Sequence, residues 1–527
     1  MTWHDVFYNS KPFNLNITIS DDVAINAVIE ELLPKIKLEP KDRNKKYLEV
    51  LILNVFSNWK MKSDMWTGFH SGVNNYKQKS RYNGNNISKK IIEIKELLLK
   101  HGYLIQSGYL NSHAKHKKSY TARLKPTENL LGIINKHKMD FNKIEMLPDV
   151  ECIILKKKQG KNNIEIEYED APDILINREN LIAYNNLLRS THIDCVDIPE
   201  EKGIIIGKNK YPILVSQKNK WVKRIFIKEN NELLYGRFHG GFWQQMNREW
   251  RDKIQINGLD TTEIDYSGMG INTLYDINNL EKDDKDPYDL TGFYNSNKYT
   301  MEELRPLLKQ LLMVMINSKS SVEARYSVQK DMNDADNNFP NDIELRPLMK
   351  AFQERHKPIK HLFFKSLGNL QYFLDSSVCA DVINHFTFKN IPVLTVHDSF
   401  VIDVSNGGEL KEVMVDYYAT NLKNYKKDIK VTLENKQYAE VMARRNLILP
   451  EPSNPVEEMH QFHQQQYVSP NATKHTINDY YIEDGIGWGF KRLFKDKEYK
   501  QRLLDWRKLK IWKTDREYYF NKNRLLH

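Results

Sequence analysis

Two aspartates stand where a predicted β-strand gives way to a turn. Asp398 follows His397 within IPVLTVHDSFVIDV, residues 391–404, where β-branched and apolar residues flank a short polar break. This pattern predicts a tight β-hairpin with the His-Asp pair at its tip. Asp265 follows a second short predicted strand, residues 261–264. Each aspartate alone is more simply a turn residue. Two carboxylates that converge across one sheet, however, suit the two Mg²⁺ ions of phosphoryl transfer.

The segment between the two aspartates predicts a helix with a cationic stripe. Thr300 followed by Glu303 is a capping box, so residues 300–320 are expected to form a helix that begins at Thr300. Arg305 and Lys309 are four residues apart and therefore lie on the same side of that helix. The guanidinium of Arg305 can form two parallel hydrogen bonds with a phosphate, and the ammonium of Lys309, one helical turn away, adds a second positive charge. Such a pair suits a triphosphate. An amphipathic helix whose polar stripe faces water would give the same pattern.

Taken in order, these motifs resemble those of family A DNA polymerases and single-subunit, phage-type RNA polymerases. Motif A of that superfamily resembles DYSGMG, which begins at Asp265, and motif C is similar to VHDSF around Asp398. The Arg and Lys of motif B correspond to Arg305 and Lys309. The superfamily also has a Gly-Arg dipeptide upstream of motif A that contacts primer or template. The Gly-Arg that ends at Arg237 in this chain, within LLYGRFHGGFWQQM, resembles it. The chain also resembles uncharacterised proteins of bacterial mobile elements.

The resemblance covers roughly residues 230–405 and implies an α+β fold with a right-hand polymerase core. That core has an antiparallel palm sheet and helical fingers. By the same resemblance, Asp265 and Asp398 hold two Mg²⁺ ions, or Mn²⁺ in their place. Arg305 and Lys309 bind the triphosphate, and Lys309 also protonates the leaving pyrophosphate.

Other positions in these motifs imply contacts with the substrates. His397 is expected to position the primer 3′ end, Arg237 to contact the duplex, and Tyr266 to lie beside the nucleotide. Asn317 replaces the usual motif B Tyr, so the sequence leaves open how the sugar and base are checked. Gly270 stands where family A DNA polymerases carry a Glu that blocks the ribose 2′-OH, whereas phage-type RNA polymerases have Gly.

Gly270 and Ser399, which follows the motif C aspartate, both favour ribonucleotides, although a tight turn would also explain Gly270. The expected activity is that of a template-directed nucleotidyltransferase, an RNA polymerase or primase-like enzyme that acts on NTPs or dNTPs with a DNA or RNA template. The sequence leaves three alternatives open. They are a family A type DNA polymerase without a proofreading exonuclease, a non-catalytic DNA-binding replication or regulatory protein with a relic palm, and an enzyme of untemplated addition.

The length, net charge and cysteine content of the chain limit which of these hypotheses are possible. The chain has 527 residues and a formal charge of +10, which suits several domains and a polyanionic partner. Cys152, Cys195 and Cys379 are too scattered for a disulfide framework or a Cys-rich zinc site. Neither a long apolar run nor a signal-peptide pattern is present, so the expectation is a cytoplasmic protein that does not contact a membrane.

The N-terminal region predicts a nucleic-acid-binding module. A helix over residues 87–102 is followed by a strand, a basic wing and a second strand, residues 103–127, which resembles a winged helix. The basic residues expected along phosphates are Lys115, His116, Lys117, Lys118, Arg123 and Lys125. An ordinary basic hairpin remains the alternative. The predicted organisation is an N-terminal region at 1–145, a connecting or thumb-like region at 146–230, palm and fingers at 231–447, a flexible linker at 448–476, and a basic, aromatic, helical tail at 477–527.

Overall fold

The computed structural model describes Val6 and residues 9–429 with gaps. The gaps are residues 73–74, 108–120, 161, 196–203, 207–211, 216, 230–231, 267, 282, 284, 334–338 and 341. Only the backbone is described for residues 204–206, 212, 214, 232 and 423–429. The predicted linker and tail, and the wing residues Lys115, His116, Lys117 and Lys118, lie outside the described residues. Within the described part, the fold is mixed α/β with mainly antiparallel sheets.

An N-terminal unit, residues 9–146, is built on its own hydrophobic core. Its strands are β1 (Ser10–Pro12), β2 (Ile17–Ile19), β3 (Trp66–Phe69), β4 (Leu104–Ser107), β5 (Ala122–Pro126) and β6 (Ile144–Met146). Its helices are α1 (Asp22–Lys35), α2 (Asp42–Met61), α3 (Lys90–Lys100) and α4 (Glu128–Lys136). The main sheet has the order β1-β3-β5-β4, and β4 and β5 are the antiparallel strands on either side of the predicted wing.

Helix α3 shows how the local sequence sets these elements. Its apolar residues, Ile91, Ile94 and Leu98, are buried at helical spacing. Gly102, which the sequence predicts as the residue that ends the helix, adopts a left-handed φ of 74°. The amide of Tyr103 donates to the carbonyl of Leu98, which closes the helix end before β4 begins.

A central unit follows, in which residues 150–265 and 368–422 share one core. Its strands are β7 (Ile153–Gln159), β8 (Asn162–Glu165), β9 (Ile193–Cys195), β10 (Ile204–Ile206), β11 (Pro212–Leu214), β12 (Lys223–Glu229), β13 (Glu232–His239), β14 (Ile254–Ile256), β15 (Leu259–Asp265), β16 (Leu394–Val396) and β17 (Ser399–Asp403). The region at 146–230 therefore contributes to the same core as the strands that carry the two aspartates.

The central unit contains two main sheets. One has the order β16-β17-β15-β14-β9 and is antiparallel throughout. The other has the order β13-β12-β7-β8, in which β12 and β7 are parallel. The helices of this unit are α5 (Pro172–Ser190), α6 (Arg248–Arg251), α11 (Gly368–Phe388) and α12 (Gly407–Ile429), and α11 packs across β13.

A helical unit, residues 268–367, is inserted between β15 and α11. It comprises α7 (Met269–Ile277), α8 (Met301–Asn317), α9 (Ser321–Met332) and α10 (Leu345–Arg355) around a third core. Helix α8 begins with the predicted capping box, in which Thr300 and Glu303 bond reciprocally. Its buried residues are Leu304, Leu307, Leu308, Leu311, Leu312, Met315 and Ile316, while Arg305 and Lys309 are exposed on one side.

A network of ion pairs joins the N-terminal and central units. Arg81 pairs with Glu151 at 3.1 Å and with Asp170 at 2.9 Å. Arg178 of α5 binds the same two carboxylates from the other side. Because the two arginines share their acids, the N-terminal unit is fixed against α5. None of the helices in the described part of the chain is long and apolar enough to cross a membrane.

Candidate active site

The two predicted aspartates lie on neighbouring strands of the central sheet. β15 ends at Asp265, which is paired with Ser399, the first residue of β17. Asp398 immediately precedes Ser399 at the tip of the β16–β17 hairpin, whose register pairs Val396 with Ser399. The backbone register therefore brings Asp265 and Asp398 to the same end of the sheet.

The electrostatic environment couples Asp265 to Asp398 and Lys309. Burial raises the pKa of Asp265 from 3.8 to about 6, and the negative charge of Asp398 adds to this effect. The positive charge of Lys309 lowers the same pKa. The Asp265 side chain nevertheless remains exposed to water. Because the charge of Lys309 acts on this carboxylate, the end of the sheet faces one side of helix α8, and we call the space between them the cleft.

Arg305 and Lys309 lie over a common tyrosine. The Arg305 guanidinium carbon is 5.3 Å, and the Lys309 Nζ 6.0 Å, from the centroid of the Tyr288 ring. Arg305 also donates through Nε to Asp286 at 2.7 Å. Burial raises the pKa of Tyr288 to about 12, and Asp286, Asp398 and Asp265 contribute to this shift. Tyr288 therefore lies beside both cations and close enough to the two aspartates to feel their charges.

Arg237 is held by an acidic partner on helix α11. Its Nε donates to both carboxylate oxygens of Asp375, at 3.2 and 3.0 Å, and its Nη2 also bonds to Asp375. The guanidinium stacks 4.0 Å above the ring of Tyr372. Gly236 permits this arrangement, because it has a φ of 67° and a Cβ there would lie 2.4 Å from the Ser376 hydroxyl. The Gly-Arg dipeptide thus lets α11 approach β13 closely.

His397 occupies a strained position at the hairpin tip. Its φ is 64°, a left-handed conformation that costs free energy in a non-glycine residue. Its ring lies 5.7 Å from that of His239, and the Nε2 of His239 bonds to the Tyr235 hydroxyl at 3.0 Å. Burial and the proximity of His397 lower the pKa of His239 to about 4, so His239 is neutral at physiological pH.

Gly270 lies in the first turn of α7, and the preceding turn is made by Gly268, which has a φ of 60°. The Gln371 amide donates to the Gly270 carbonyl at 2.7 Å. A Cβ at Gly270 would meet Gln371 Oε1 at 3.6 Å, which is an ordinary contact. Neither backbone conformation nor crowding therefore requires glycine at this position.

Asn317 ends α8 against the start of α11. A Cβ on Gly368 would lie 2.2 Å from the Asn317 Oδ1, so the two elements are in close contact. That Oδ1 atom is buried and has no hydrogen-bond partner among the described residues. Asn317 therefore packs at the junction of the helical and central units.

Two further motif residues have structural partners. The Tyr266 hydroxyl donates to the Met414 carbonyl of α12 at 2.5 Å, and the Tyr266 ring lies 5.7 Å from that of Tyr418. The Ser399 hydroxyl donates to Glu263 at 2.7 Å. The identity of residue 399 is thus explained by the sheet itself, and the ribonucleotide hypothesis rests on Gly270.

Glu263 is a third acid on the same face of β15 as Asp265. Arg251 of α6 binds it with two hydrogen bonds, at 2.9 and 2.8 Å, and both side chains are largely buried. The negative charge of Glu263 contributes to the raised pKa of Asp265. Because Arg251 neutralises Glu263, Asp265 and Asp398 are the acids at this end of the sheet that remain for a cation among the described residues.

The predicted phosphate contact Arg123 lies apart from this cleft. It is buried on β5 of the N-terminal unit, and its Nη1 donates to the Thr121 carbonyl at 2.7 Å. Its side chain lines a large cavity between the N-terminal and central units. Of the basic residues expected along phosphates, Arg123 and Lys125, both on β5, lie in the described part of the chain.

The donor chemistry at the sheet end fits a hard divalent cation. Asp265 and Asp398 carry like charges at neighbouring positions, and their repulsion would be relieved by a cation between them. Among the described residues, no group of three or more His, Cys, Asp or Glu side chains is placed to hold a metal ion. Two carboxylates are nevertheless compatible with Mg²⁺, since this ion usually keeps several waters and takes further oxygens from substrate phosphates.

Comparison of the chain with protein-family models, with curated protein sequences and with solved structures finds no match in any of the three. The geometry of the cleft is therefore the basis for a functional assignment.

Several residues of the cleft escape prediction from the sequence. Glu263 stands two residues before Asp265, so strand periodicity offers a signal for it. Asp375 and Tyr372 lie on α11, far along the chain from Arg237, and nothing in their local sequence links them to it. Tyr288 follows an acidic, irregular segment and joins the site through tertiary packing alone.

Proposed function

We propose that the chain is a template-directed nucleotidyltransferase with a right-hand polymerase core. The observation that carries the proposal is the pairing of Asp265 with Ser399, which sets Asp265 beside Asp398 on adjacent strands. The opposing effects of Asp398 and Lys309 on the pKa of Asp265 support a cleft in which acids face a cation. This is the arrangement that phosphoryl transfer needs, because phosphates must be held between metal-binding carboxylates and positive side chains.

In the proposed mechanism, Asp265 and Asp398 hold Mg²⁺, with Mn²⁺ as a substitute. When bound, two such ions would activate the primer 3′-OH and neutralise the β- and γ-phosphates. Lys309 faces the phosphates from α8 and donates a proton to the leaving pyrophosphate. Arg305 exchanges its bond to Asp286 for a bidentate bond to the triphosphate. Asp286 therefore accepts a hydrogen bond from the Arg305 guanidinium until the nucleotide binds.

The remaining cleft residues hold the nucleic acid in this proposal. Arg237 stacks on Tyr372 and is oriented by Asp375, so one edge of a rigid guanidinium faces the growing duplex. His397 projects from the hairpin tip toward the primer 3′ end. DNA is the proposed template, with RNA as the other template class.

The test of the active site is primer extension with labelled nucleotides in Mg²⁺, with wild type beside Asp398→Ala. We expect extension by wild type and a loss of at least a thousandfold in the variant, while Asp260→Ala at the opposite end of β15 extends normally. Equal incorporation by Asp398→Ala and wild type would overturn the assignment. Incorporation without a template would indicate untemplated addition instead.

We further propose that the preferred substrates are ribonucleotides. Gly270 supports this, because the backbone and the nearby Gln371 side chain leave room for a Cβ at this position. The substitution Gly270→Glu is expected to suppress incorporation of rNTPs relative to dNTPs, with Gly270→Ala as the control for added volume. Strict use of dNTPs by wild type would contradict the hypothesis and favour a DNA polymerase.

A second candidate is a DNA-binding protein with a relic palm. Arg237 forms an ion pair with Asp375, and Arg305 forms one with Asp286. Because both arginines are bound to carboxylates within the protein, they need not bind the substrates of a polymerase, which supports this candidate. Binding of primer–template with no incorporation under any nucleotide mixture would favour this candidate.

A further inference from the structure

A cavity of about 1000 Å³ lies between the N-terminal and central units, apart from the aspartate cleft. We call it the junction cavity. Its walls come from β1, β2, α2, β3, β5 and β6 on one side. On the other side they come from the end of α5, Ile213, residues 217–221, and the segment that contains Gly240, Phe242 and Gln245. Both units are thus needed to form it.

The charge of the junction cavity is strongly biased. Its described lining contains five Lys or Arg side chains and one carboxylate, Glu145. The whole chain, in contrast, has 79 Lys and Arg against 69 Asp and Glu. The five cations of the lining are Lys11, Arg123, Arg189, Lys218 and Lys220. Such a concentration of one sign in a concave site attracts a polyanion.

Contacts within the lining keep the cations in place. Lys11 donates to the Asn219 side chain at 3.1 Å, and Lys218 donates to the Asn142 carbonyl at 3.1 Å. Both bonds cross from one unit to the other. Lys220 is buried and binds carbonyls at the end of α5, and burial together with the charge of Arg189 lowers the pKa of Lys220 to about 7. Protonation of Lys220 is therefore favoured when an anion enters.

Rings and amides complete the lining. The partly exposed Trp221 presents an aromatic ring to the cavity, and the buried Phe242 reaches the lining from the core. Polar side chains such as Asn186 and Gln245 also belong to the lining. Aromatic rings beside positive side chains are the features that bind the bases and the backbone of a single strand. Amide groups can bond to the edges of unpaired bases.

The size of the cavity argues against a double helix. Its volume lies at the upper end of the roughly 300–1,000 Å³ of small-ligand sites. A space of about 1000 Å³ is roughly 10 Å across, which is less than the width of even the major groove of a duplex, about 12 Å, so a duplex does not fit. A few nucleotides of a single strand do.

From these observations we infer that the junction cavity binds a short stretch of single-stranded nucleic acid. Phosphates would lie along Lys11, Arg123 and Arg189, and bases would stack against Trp221. This inference does not depend on nucleotide transfer in the aspartate cleft. Binding by the full chain is measured without nucleotides, so its failure and the failure of the proposed function are distinguishable.

The test uses the double variant Arg189→Gln, Lys11→Gln in the full chain, with fluorescence anisotropy of a labelled oligo-dT. Arg189 has an exposed side chain, and Gln at position 11 retains a donor for Asn219. The matched control replaces two exposed residues outside the lining, Arg346→Gln and Lys411→Gln. Thermal unfolding of each variant shows whether the fold is retained.

We expect the slope of log K against log salt to fall by about 1.4 in the double variant, because each lost phosphate contact with a single strand removes about 0.7. The Kd at 0.1 M salt then rises about 25-fold, which is ten raised to that slope change, when binding at 1 M salt is taken as unchanged. The control pair is expected to change neither quantity. The single strand in the cavity could come from the template or from the product. Comparison of binding to primer–templates with a 5′ overhang and with a 3′ overhang distinguishes these two sources.

Three results would overturn the inference. They are an unchanged salt slope in a folded double variant, an equal loss in the control pair, and competition by mononucleotides as strong as that by oligonucleotides. A cross-link from a photoreactive oligonucleotide to Trp221 would support it independently of the variants.

Discussion

Removal of the Asp265 carboxylate is expected to stabilise the protein at neutral pH. The pKa of Asp265 is about 6 in the folded chain against the ordinary value of 3.8, so the folded state binds this proton more tightly than the unfolded state. Stability therefore falls as the pH rises from about 4 through about 6, and the loss is complete above that range. The variant Asp265→Asn carries no such penalty.

The size of the effect follows from the shift. A difference of about 2 pKa units corresponds to about 3 kcal/mol at neutral pH. Because the Asp265 side chain is exposed to water, screening reduces this, and about 1 kcal/mol is expected. For a unit of this size, that amounts to a rise of about 2–4 °C in Tm.

Thermal unfolding followed by tryptophan fluorescence measures the change, since Trp243 is fully buried in the central core. Asp265→Asn is expected to raise the Tm at pH 7.5 and to leave it unchanged near pH 4, while Asp260→Asn is neutral at both. Mg²⁺ should raise the Tm of wild type at pH 7.5 but not that of Asp265→Asn. A Tm lowered by Asp265→Asn at pH 7.5, or shifted equally at both pH values, would refute the reasoning.

Three other predictions concern residues around the cleft. Thr300→Ala removes the capping box of α8 and is expected to cost about 1 kcal/mol of stability by thermal unfolding, whereas Thr300→Ser is expected to cost less. Arg237→Leu leaves the buried Asp375 unpaired and is expected to cost about 3–5 kcal/mol by chemical denaturation. Substitution of both residues by Leu should restore much of that loss, and no recovery would contradict a buried ion pair. Lys309→Gln is expected to raise the nucleotide KM about tenfold or more, because a charge-assisted bond is worth about 1.5–3 kcal/mol. Tyr288→Leu should have a smaller effect, and the reverse order would exclude Lys309 as the phosphate contact.

The elements that carry the site were predictable where local sequence determines them. The capping box at Thr300 and the alternation around Asp398 define a helix start and a hairpin without reference to the rest of the chain. The strand that delivers Asp265 is equally local, although the structure extends it to Leu259–Asp265. These elements were therefore predicted close to their observed positions.

Contacts across the chain were not predictable in the same way. Asp375 meets Arg237 from 138 residues away, and Glu263 accepts from Ser399 across 136 residues. A pattern in one segment contains no information about such a partner. For the same reason the sequence offers Ser399 only as a position that favours ribonucleotides, and its bond to Glu263 within the sheet becomes visible only in the structure.

Residues 240–246 connect the junction cavity to the β16–β17 hairpin. Phe242 lines the cavity, while the neighbouring Trp243 and Gln244 side chains donate to the Thr395 carbonyl of β16, at 3.0 and 3.1 Å. Where such a link couples two ligands, thermodynamic linkage makes the coupling reciprocal. If a strand in the cavity tightens the binding of a cation at the hairpin tip by some factor, the cation must tighten the binding of the strand by the same factor.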